Sequence, residues 1–342
     1  MENIERLIKK LPEGYEKAAK ETGGFKKKRE IKTVTDLLRL IFVYIVNGLS
    51  YIEISTISKV KGIADISDVG FMKRFSNCGK LFKEILKQLK PEATAHYKKP
   101  DKFAEYNIIE LDASVVTSGG KIRKYHRLHY ALNVFEMKSE QYKITGQEVG
   151  ESLANFEIKA KDLYTGDRAY GTKKSMEHCF SGGGEFIFRI KKGAFDIYET
   201  DGVTKINLIN ELKNLKDDEE LDMECVFINS KKKRQRVRIC AMKKPKNTHE
   251  TNGNDTKFMN NYIVVVTSIL DFENISAKDI LDLYRLRWQV ELYFKRLKSL
   301  LGFGDIPNKT PNNIEAWLNA KLIAAILLEL TTSEVDFSPS GR

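Results

Sequence analysis

One segment in the last quarter of the sequence carries polar and aromatic side chains at helical spacing. Counted from Tyr284, residues Arg287, Glu291 and Lys298 lie at offsets of 3, 7 and 14. At about 100° per residue of α-helix, these offsets fall within an arc of roughly 60°. The opposite arc is apolar and consists of Leu283, Leu286, Val290, Leu297 and Leu301. The segment therefore predicts an amphipathic helix with one face for a hydrophobic core and one face for polar contacts.

The polar face of this predicted helix combines one carboxylate with several cations. Trp288 and Lys295 widen the face to an arc of only about 100°. Glu291 thereby lies among Arg287, Lys295 and Lys298, and such a set suits a metal ion at the carboxylate and phosphates at the cations. The alternative for the helix alone is a solvated face with the pairs Arg287–Glu291 and Glu291–Lys295, each worth roughly 0.2–0.5 kcal/mol.

Two upstream segments each place an aspartate in or beside an apolar run. Asp112 lies inside Asn107–Val116, a β-rich run in which a buried acid is costly unless it is paired or binds a metal. Asp167 follows the short apolar part of Asp162–Gly171, just before a predicted turn into a helix. Both aspartates are therefore candidate metal ligands.

Each aspartate also has an ordinary structural explanation. Asp112 could be a buried acid that accepts hydrogen bonds from Ser114 or from neighbouring amides, and Glu110 on the same strand face is a rival ligand. Asp167 could be a turn or helix-capping residue, with Asp162 as its rival.

The two aspartate segments and the helix together resemble the DDE transposases of bacterial insertion sequences, in the large family numbered four, which carry a Tyr-Arg-Glu-Lys signature. The resemblance covers roughly residues 30 to 330 and is strongest at 107–133, 161–171 and 262–301. The predicted strand Arg123–Asn133 is also similar to its counterpart in that family.

The resemblance implies which residues carry out the reaction. Asp112, Asp167 and Glu291 would be the catalytic carboxylates and would hold two Mg²⁺ ions, or Mn²⁺ in their place. One ion would activate the attacking oxygen and the other would stabilise the leaving oxygen. Transposases of this family cleave the ends of the insertion sequence and join the freed 3′-hydroxyl to target DNA.

The resemblance also implies contacts with DNA. Tyr284, Arg287 and Lys298 would hold the phosphate near the cleaved end, and Trp288 and Lys295 are further candidate DNA-binding residues. Trp288 would stack on an unpaired base or, alternatively, pack beneath the helix. The implied partners are double-stranded DNA, as terminal inverted repeats and as target, and a second copy of the chain in a homodimer formed on the DNA ends.

Composition favours a polyanionic partner. The 342 residues carry a formal net charge of +11, which suits DNA better than a membrane surface because no basic amphipathic anchor is evident. The four cysteines lack C-x-x-C spacing, so neither a disulfide framework nor a zinc site is expected. The sequence begins with charged residues, and its longest apolar segments, Leu37–Val46 and Leu322–Leu330, are shorter than the roughly 18 residues of a membrane span. A cytoplasmic protein that does not enter the membrane is predicted.

The predicted fold is α/β, with a ribonuclease H-like catalytic core that the resemblance implies, an inserted β domain and a preceding helical domain. Residues 1–100 are expected to form a helical DNA-binding domain, although a packing or dimerisation domain has the same periodicity. Residues 101–194 are expected to form the first part of the core and 195–256 the β insertion. Residues 257–342 are expected to form the second part with the catalytic helix.

Two other functions stay open on the sequence alone. One is an inactive or truncated descendant of a transposase that binds DNA without cutting it, suggested by the short tail after Ala316–Leu330, which also leaves dimer contacts there in doubt. The other is a ribonuclease H-like nuclease that hydrolyses DNA without joining it.

Overall fold

The protein combines a helical bundle with one mixed β sheet. The computed structural model describes residues 2–26, 28–89, 99–118, 124–133, 135, 138–244, 255–287, 305–306 and 311–332. The helices are α1 (Glu2–Lys9), α2 (Tyr15–Glu21), α3 (Val34–Val46), α4 (Tyr51–Val60), α5 (Asp68–Ser76), α6 (Gly79–Gln88), α7 (Lys173–Gly182), α8 (Leu208–Lys213), α9 (Asp255–Met259), α10 (Ala277–Arg285) and α11 (Pro311–Thr332). The strands are β1 (Asn107–Ser118), β2 (Lys124–Asn133), β3 (Lys138–Gly146), β4 (Asp162–Gly166), β5 (Glu185–Arg189), β6 (Glu220–Ile228), β7 (Arg234–Lys243), β8 (Tyr262–Thr267) and β9 (Asp305–Ile306).

The sheet has the strand order β3-β2-β1-β4-β5-β8-β7-β6, with β9 added beside β1. Strands β1, β2 and β3 form an antiparallel meander, whereas β4 and β5 run parallel to β1. Strand β8 is antiparallel to β5, and β7 and β6 continue the antiparallel pairing. The carboxyl ends of β1, β4 and β5 therefore point toward one edge of the sheet.

The sheet separates two hydrophobic cores, because successive side chains of a strand point to opposite faces. On β1, Ile108 belongs to the first core and Ile109 and Leu111 to the second. The helical bundle and α10 cover the first face, while α7, α8 and α9 supply side chains to the second. Glu110 and Asp112 share the alternation of Ile108 and so belong to the face covered by the bundle.

The helical bundle is built from both ends of the described chain. Helix α11 packs against α1, α3, α5 and α6, and Ser76 at the end of α5 forms a hydrogen bond with Asn313 in α11. Residues 311–332 were assigned by the sequence to the second part of the core, but the structure places them among the amino-terminal helices. Helix α11 is buried on most of its sides, which requires neighbours all round.

The segment 195–256 contributes strands as expected, and these strands extend the main sheet. Strand β7 pairs with β8 from Arg238–Thr267 to Lys243–Tyr262, and β6 pairs with β7. The apolar side chains in the middle of β7 are buried in the two cores. Because the backbone there is also buried, its amide and carbonyl groups need partners, and pairing with β8 supplies them.

Helix α3 begins at a side-chain cap: the Thr33 hydroxyl accepts from the Asp36 amide at 3.0 Å. Between β3 and β4, Leu153–Asn155 form a 3₁₀ turn. Among the described helices, none combines the length and the apolar character needed to cross a lipid bilayer.

Arg238 connects the sheet to the segment that leads into α10. The side chain is fully buried on β7, and its guanidinium donates from Nε and Nη2 to the two Asp222 carboxylate oxygens, each at 2.6 Å. Its Nη1 donates to the Ile275 carbonyl at 2.8 Å, just before Ser276 caps α10. The arginine thereby fixes where α10 begins.

Replacing Arg238 with methionine is expected to lower the free energy of unfolding by about 1–3 kcal/mol, because the buried Ile275 carbonyl loses its donor. Arg236→Met is the matched control on the same strand, since Arg236 pairs with Glu224 at an exposed position and should cost less than about 1 kcal/mol. Urea unfolding of both variants measures the difference, and equal costs would contradict the anchoring role of Arg238.

Candidate active site

The pairing of β1 with β4 brings the two predicted aspartates together. The parallel register sets Glu110 beside Thr165 and Leu111 beside Gly166. Asp112 and Asp167 are the next residues on the two chains, and neighbouring strands lie about 4.7–4.9 Å apart. Burial raises the pKa of the Asp112 carboxyl above its usual range, and the charge of Asp167 adds to that shift.

Asp112 is held by two donors. Its Oδ1 accepts from the Ala113 amide at 2.8 Å, and its Oδ2 accepts from the Tyr130 hydroxyl at 2.7 Å. Tyr130 lies directly opposite Asp112 on β2, so the antiparallel register fixes this contact. These two hydrogen bonds orient the Asp112 carboxylate, and no salt bridge with a cation is formed by it among the described residues.

Asp167 sits in a tight turn that follows β4. Its Oδ1 accepts from the Ala169 amide at 2.8 Å, and its carbonyl accepts from the amides of Tyr170 and Gly171 at 3.1 and 3.3 Å. Glycine is required beside it, because a Cβ on Gly166 would lie 2.9 Å from the Tyr170 side chain. The turn therefore holds the aspartate in one place against the packed ring of Tyr170.

Glu110 is a buried acid beside the aspartates. One carboxylate oxygen bonds to the Thr165 hydroxyl, while its Oε1 has no hydrogen-bond partner and lies 4.0 Å from Nε of Arg287. Burial raises the pKa of Glu110 to about 8, although the Arg287 charge opposes the shift and Asp112 adds to it. An unpartnered buried carboxylate oxygen next to two further acids marks a place where positive charge is missing.

The predicted helix through Tyr284 and Arg287 has a turn at Leu286, and Arg287 is helical again. Helix α10 ends at Arg285, and Leu286 forms a turn in which its amide donates to the Leu283 carbonyl at 3.1 Å. Residues 288–301 of the predicted helix lie outside the described residues, so the arc counted from Tyr284 stays a prediction beyond Arg287. A bond to the third residue back tightens the end of a helix and changes the direction in which the chain continues.

Tyr284 is more deeply buried than a phosphate-binding residue on a polar face would be. Its side chain is 5% exposed, and its hydroxyl has no hydrogen-bond partner. Burial raises the pKa of Tyr284 to about 12. The guanidinium carbon of Arg287 lies 5.9 Å from the centre of the Tyr284 ring, so the tyrosine packs against the arginine that approaches Glu110.

The remaining predicted site residues, Glu291, Lys298, Trp288 and Lys295, lie outside the described residues. Within the described ranges, no group of three histidine, cysteine or acidic side chains is arranged to hold a metal ion. Asp112 and Asp167 are thus neighbours in the structure, and Glu291, the third residue of the predicted set, stays a prediction.

Three further residues belong to this acidic cluster and were not identified from the sequence. Tyr130 bonds to Asp112. Tyr170 is fully buried with an unpartnered hydroxyl, and burial, followed by the charges of Asp112 and Glu151, raises its pKa well above the ordinary value. The half-buried Glu151 has a pKa raised by burial and then by both aspartates. The glycines that flank Asp167–Tyr170 were the sequence feature that could have indicated this cluster, because they allow the Tyr170 ring to approach the backbone closely.

Comparison with known proteins identifies similar chains. The family model described as a transposase DDE domain matches residues 137–327, a range that includes Asp167 and Glu291 and begins after Asp112. The transposase for insertion sequence element IS421 of Escherichia coli is 25% identical over 351 residues, which are 96% of this chain and 93% of that protein. The transposase for insertion sequence element IS231F of Bacillus thuringiensis subsp. israelensis is 26% identical over 203 residues, 51% of this chain and 42% of that protein.

A solved structure, the synaptic complex of piggyBac transposase with hairpin DNA, aligns over 96% of this chain and 73% of that one. The alignment has a TM-score of 0.45 and 9% sequence identity.

The two tyrosines of the cluster are expected to have opposite effects on stability. Tyr170→Phe should leave the free energy of unfolding unchanged or raise it by about 1 kcal/mol, because it removes a buried hydroxyl that has no partner. Tyr130→Phe, the matched control, should lower it by about 1–3 kcal/mol, since Asp112 loses a donor. Urea unfolding at neutral pH measures both, and a destabilised Tyr170→Phe would mean that its hydroxyl is bonded in solution.

Proposed function

The chain belongs to the transposase DDE domain family, and from that membership we propose that it is an insertion-sequence transposase that cleaves DNA at the element's ends and joins the 3′-hydroxyl to target DNA. The observation that carries this proposal is the parallel pairing of β1 with β4, which sets Asp112 beside Asp167. Two aspartates from distant segments, held at neighbouring strand positions and oriented by separate donors, are what carboxylate-dependent phosphoryl transfer requires.

We assign the chain to the group with the Tyr-Arg-Glu-Lys signature and its core to the ribonuclease H-like fold. The antiparallel meander of β1, β2 and β3 followed by the parallel strands β4 and β5 supports this assignment. Asp112 lies on β1 and Asp167 directly follows β4, and both strands are covered on both faces. The proposed catalytic centre is therefore supported by two packed strands.

The described residues fit a hard divalent cation. Mg²⁺ takes oxygen ligands, and the cluster offers carboxylates whose burial opposes a negative charge, together with the unpartnered oxygen of Glu110. In the proposal Asp112, Asp167 and Glu291 hold Mg²⁺, and Mn²⁺ can replace it. The bound ions would supply an activated oxygen nucleophile and stabilisation of the leaving oxygen.

The protein's own groups would orient these carboxylates and the DNA. The Tyr130 hydroxyl and the Ala113 amide hold Asp112, and the Ala169 amide holds Asp167. Arg287 would bind a phosphate near the cleaved end, with the ring of Tyr284 beneath it. Lys298, Lys295 and Trp288 stay candidates for further contacts with the same DNA strand.

The helical bundle would recognise duplex DNA. A cleft of about 840 Å³ lies between the loop that follows α2 and helix α5, and its charged lining consists of Lys26, Arg29, Lys73 and Arg74 with Glu30 and Asp65. Together with the net charge of +11, these cations suit the DNA backbone. Two copies of the chain, one on each element end, would form the proposed homodimer.

Asp112→Asn and Asp167→Asn are each expected to lower the rate of Mg²⁺-dependent cleavage by more than about a hundredfold, because even second-shell changes at metal sites cost 10–100-fold. Glu291→Gln should behave in the same way. The substrate is a duplex that carries the element's terminal inverted repeat, and the products are resolved on a denaturing gel. DNA binding, followed by fluorescence anisotropy, should change little because the substitutions keep the side-chain shape.

Asp162→Asn is the matched control. Asp162 begins β4, at the opposite end of that strand from Asp167, and its carboxylate accepts hydrogen bonds from Asn107 and Tyr164. It should cleave at the unchanged rate. Wild-type cleavage by the Asp112 and Asp167 variants would remove the catalytic assignment. Cleavage by the unaltered protein without joining to target DNA would instead favour a nuclease.

A further inference from the structure

A row of three cations follows the sheet edge at which the acidic cluster lies. Arg168 follows Asp167 after β4, Arg189 is the last residue of β5, and Lys244 follows β7. The strand order β4-β5-β8-β7 places these residues along one edge, because β8 begins where β5 ends and the Lys244 amide donates to the Asn261 carbonyl at 2.9 Å. We call Arg168, Arg189 and Lys244 the basic row.

The basic row has no acid paired with it by a salt bridge within the described residues. The Nε atoms of Arg168 and Arg189 are buried without a hydrogen-bond partner, and Nη2 of Arg189 donates to the Tyr262 carbonyl over a long distance of 3.4 Å. The three side chains are all half-buried.

The three positive charges repel one another. Burial, followed by the charges of Arg189 and Arg168, lowers the pKa of Lys244. Half-buried like charges are costly because they are only partly hydrated, and no salt bridge pairs these three within the described residues. A protein retains such a set at the expense of stability, which points to a ligand that supplies the missing negative charge.

Nearby cations of the same strands are paired. Lys243, next to Lys244, forms an ion pair with Asp217 at 2.7 Å. Arg236 pairs with Glu224 at 2.5 Å, and Arg238 pairs with Asp222 at 2.6 Å. Three cations of β7 therefore have acid partners, whereas no salt bridge pairs Lys244 within the described residues.

We propose that the basic row binds the phosphodiester backbone of a DNA strand that runs from the proposed catalytic centre along the sheet edge. Three strand steps of about 4.8 Å span about 14 Å, or roughly four base steps of 3.4 Å along a duplex. The planar guanidinium groups suit phosphate oxygens. The inference rests on the proposed function, since it takes DNA as the ligand.

A single small anion would not account for the shape of the site. The row is linear, begins beside Asp167 and extends away from it over four strands. The charges of Arg189 and Arg287 both act on the buried Tyr284 hydroxyl, so the row lies near the arginine that approaches Glu110. A continuous strand of phosphates would meet Arg287 and the basic row in succession.

Arg189→Met and Lys244→Met test the proposal, with Arg236→Met and Lys243→Met as matched controls that remove the same charges from paired sites. Dissociation constants are measured by fluorescence anisotropy over a salt series. One arm uses a duplex that carries the element's terminal repeat, and the other uses an unrelated duplex of equal length. Each row variant should bind about tenfold more weakly, and the slope of log affinity against log salt should fall by about 0.9. The controls should change neither quantity appreciably.

Thermal unfolding of the free proteins gives a second readout that separates binding from folding. Removing an uncompensated cation should leave Tm unchanged or raise it, whereas a purely structural arginine or lysine would lower Tm when removed. A loss confined to the terminal-repeat duplex would assign the row to the element end, and a loss in both arms would assign it to DNA backbone in general, including target DNA. Both results support the proposal.

Unchanged slopes in both arms, or a lowered Tm with unchanged affinity, would overturn the proposal. The proposed catalytic function is tested separately by Asp112→Asn, which should stop cleavage without altering the salt slope. The unaltered protein could fail to cleave DNA while the row variants still lower the slope of log affinity against log salt. That result would support DNA binding by the basic row and contradict the transposase assignment.

Discussion

The parallel pairing of β1 with β4 is the contact on which the rest of the site depends. It sets Leu111 against Gly166 and thus makes Asp112 and Asp167 neighbours although 54 residues separate them along the chain. A slip of one residue would send Glu110 and Asp112 to the opposite face of the sheet, where the second hydrophobic core lies. The alternation of apolar side chains on β1 therefore fixes the position of the acids as well as the core.

The same sheet edge carries unbalanced charge of both signs. Glu110, Asp112 and Asp167 lie together with raised pKa values for the first two, and the basic row continues from Asp167 toward β7. Within the described residues Glu110 faces Arg287 at 4.0 Å and no salt bridge pairs the basic row, while the Glu110 oxygen and two arginine nitrogens are buried without hydrogen-bond partners. A metal ion and a DNA backbone are the two ligands that would balance these charges, in line with the proposed function. Charged and polar groups that lack partners in the free protein commonly lower its stability and favour the binding of a ligand.

Packing around the edge supplies the rigidity that such a site needs. The bundle formed by the amino-terminal helices and α11 covers the face that carries Asp112. On the same face, Arg238 fixes the start of α10, and α10 in turn positions Tyr284 and the turn at Leu286 before Arg287. The approach of Arg287 to Glu110 is thus determined by contacts that begin on β7.

The sequence by itself determined the local elements and the family. The apolar run at Asn107–Val116 and the apolar segment within Ala316–Leu330 are consequences of periodicity, which reports neighbours along one strand or helix. The matching order of the aspartates and the Tyr284–Lys298 segment was sufficient to indicate a DDE transposase, and the family comparison agrees. Glu291, Lys298, Trp288 and Lys295 stay predictions from that pattern.

Only the tertiary structure decided which distant residues meet. Tyr130, Tyr170 and Glu151 join the aspartates through strand pairing and a loop, and Arg168, Arg189 and Lys244 come together because three separate strands end at one edge. Their spacing in the sequence has no period, so no local pattern could reveal them. The turn at Leu286 was missed for a related reason, since a helical wheel assumes a continuous helix and the packing of Leu283 and Tyr284 against the core determines where α10 ends.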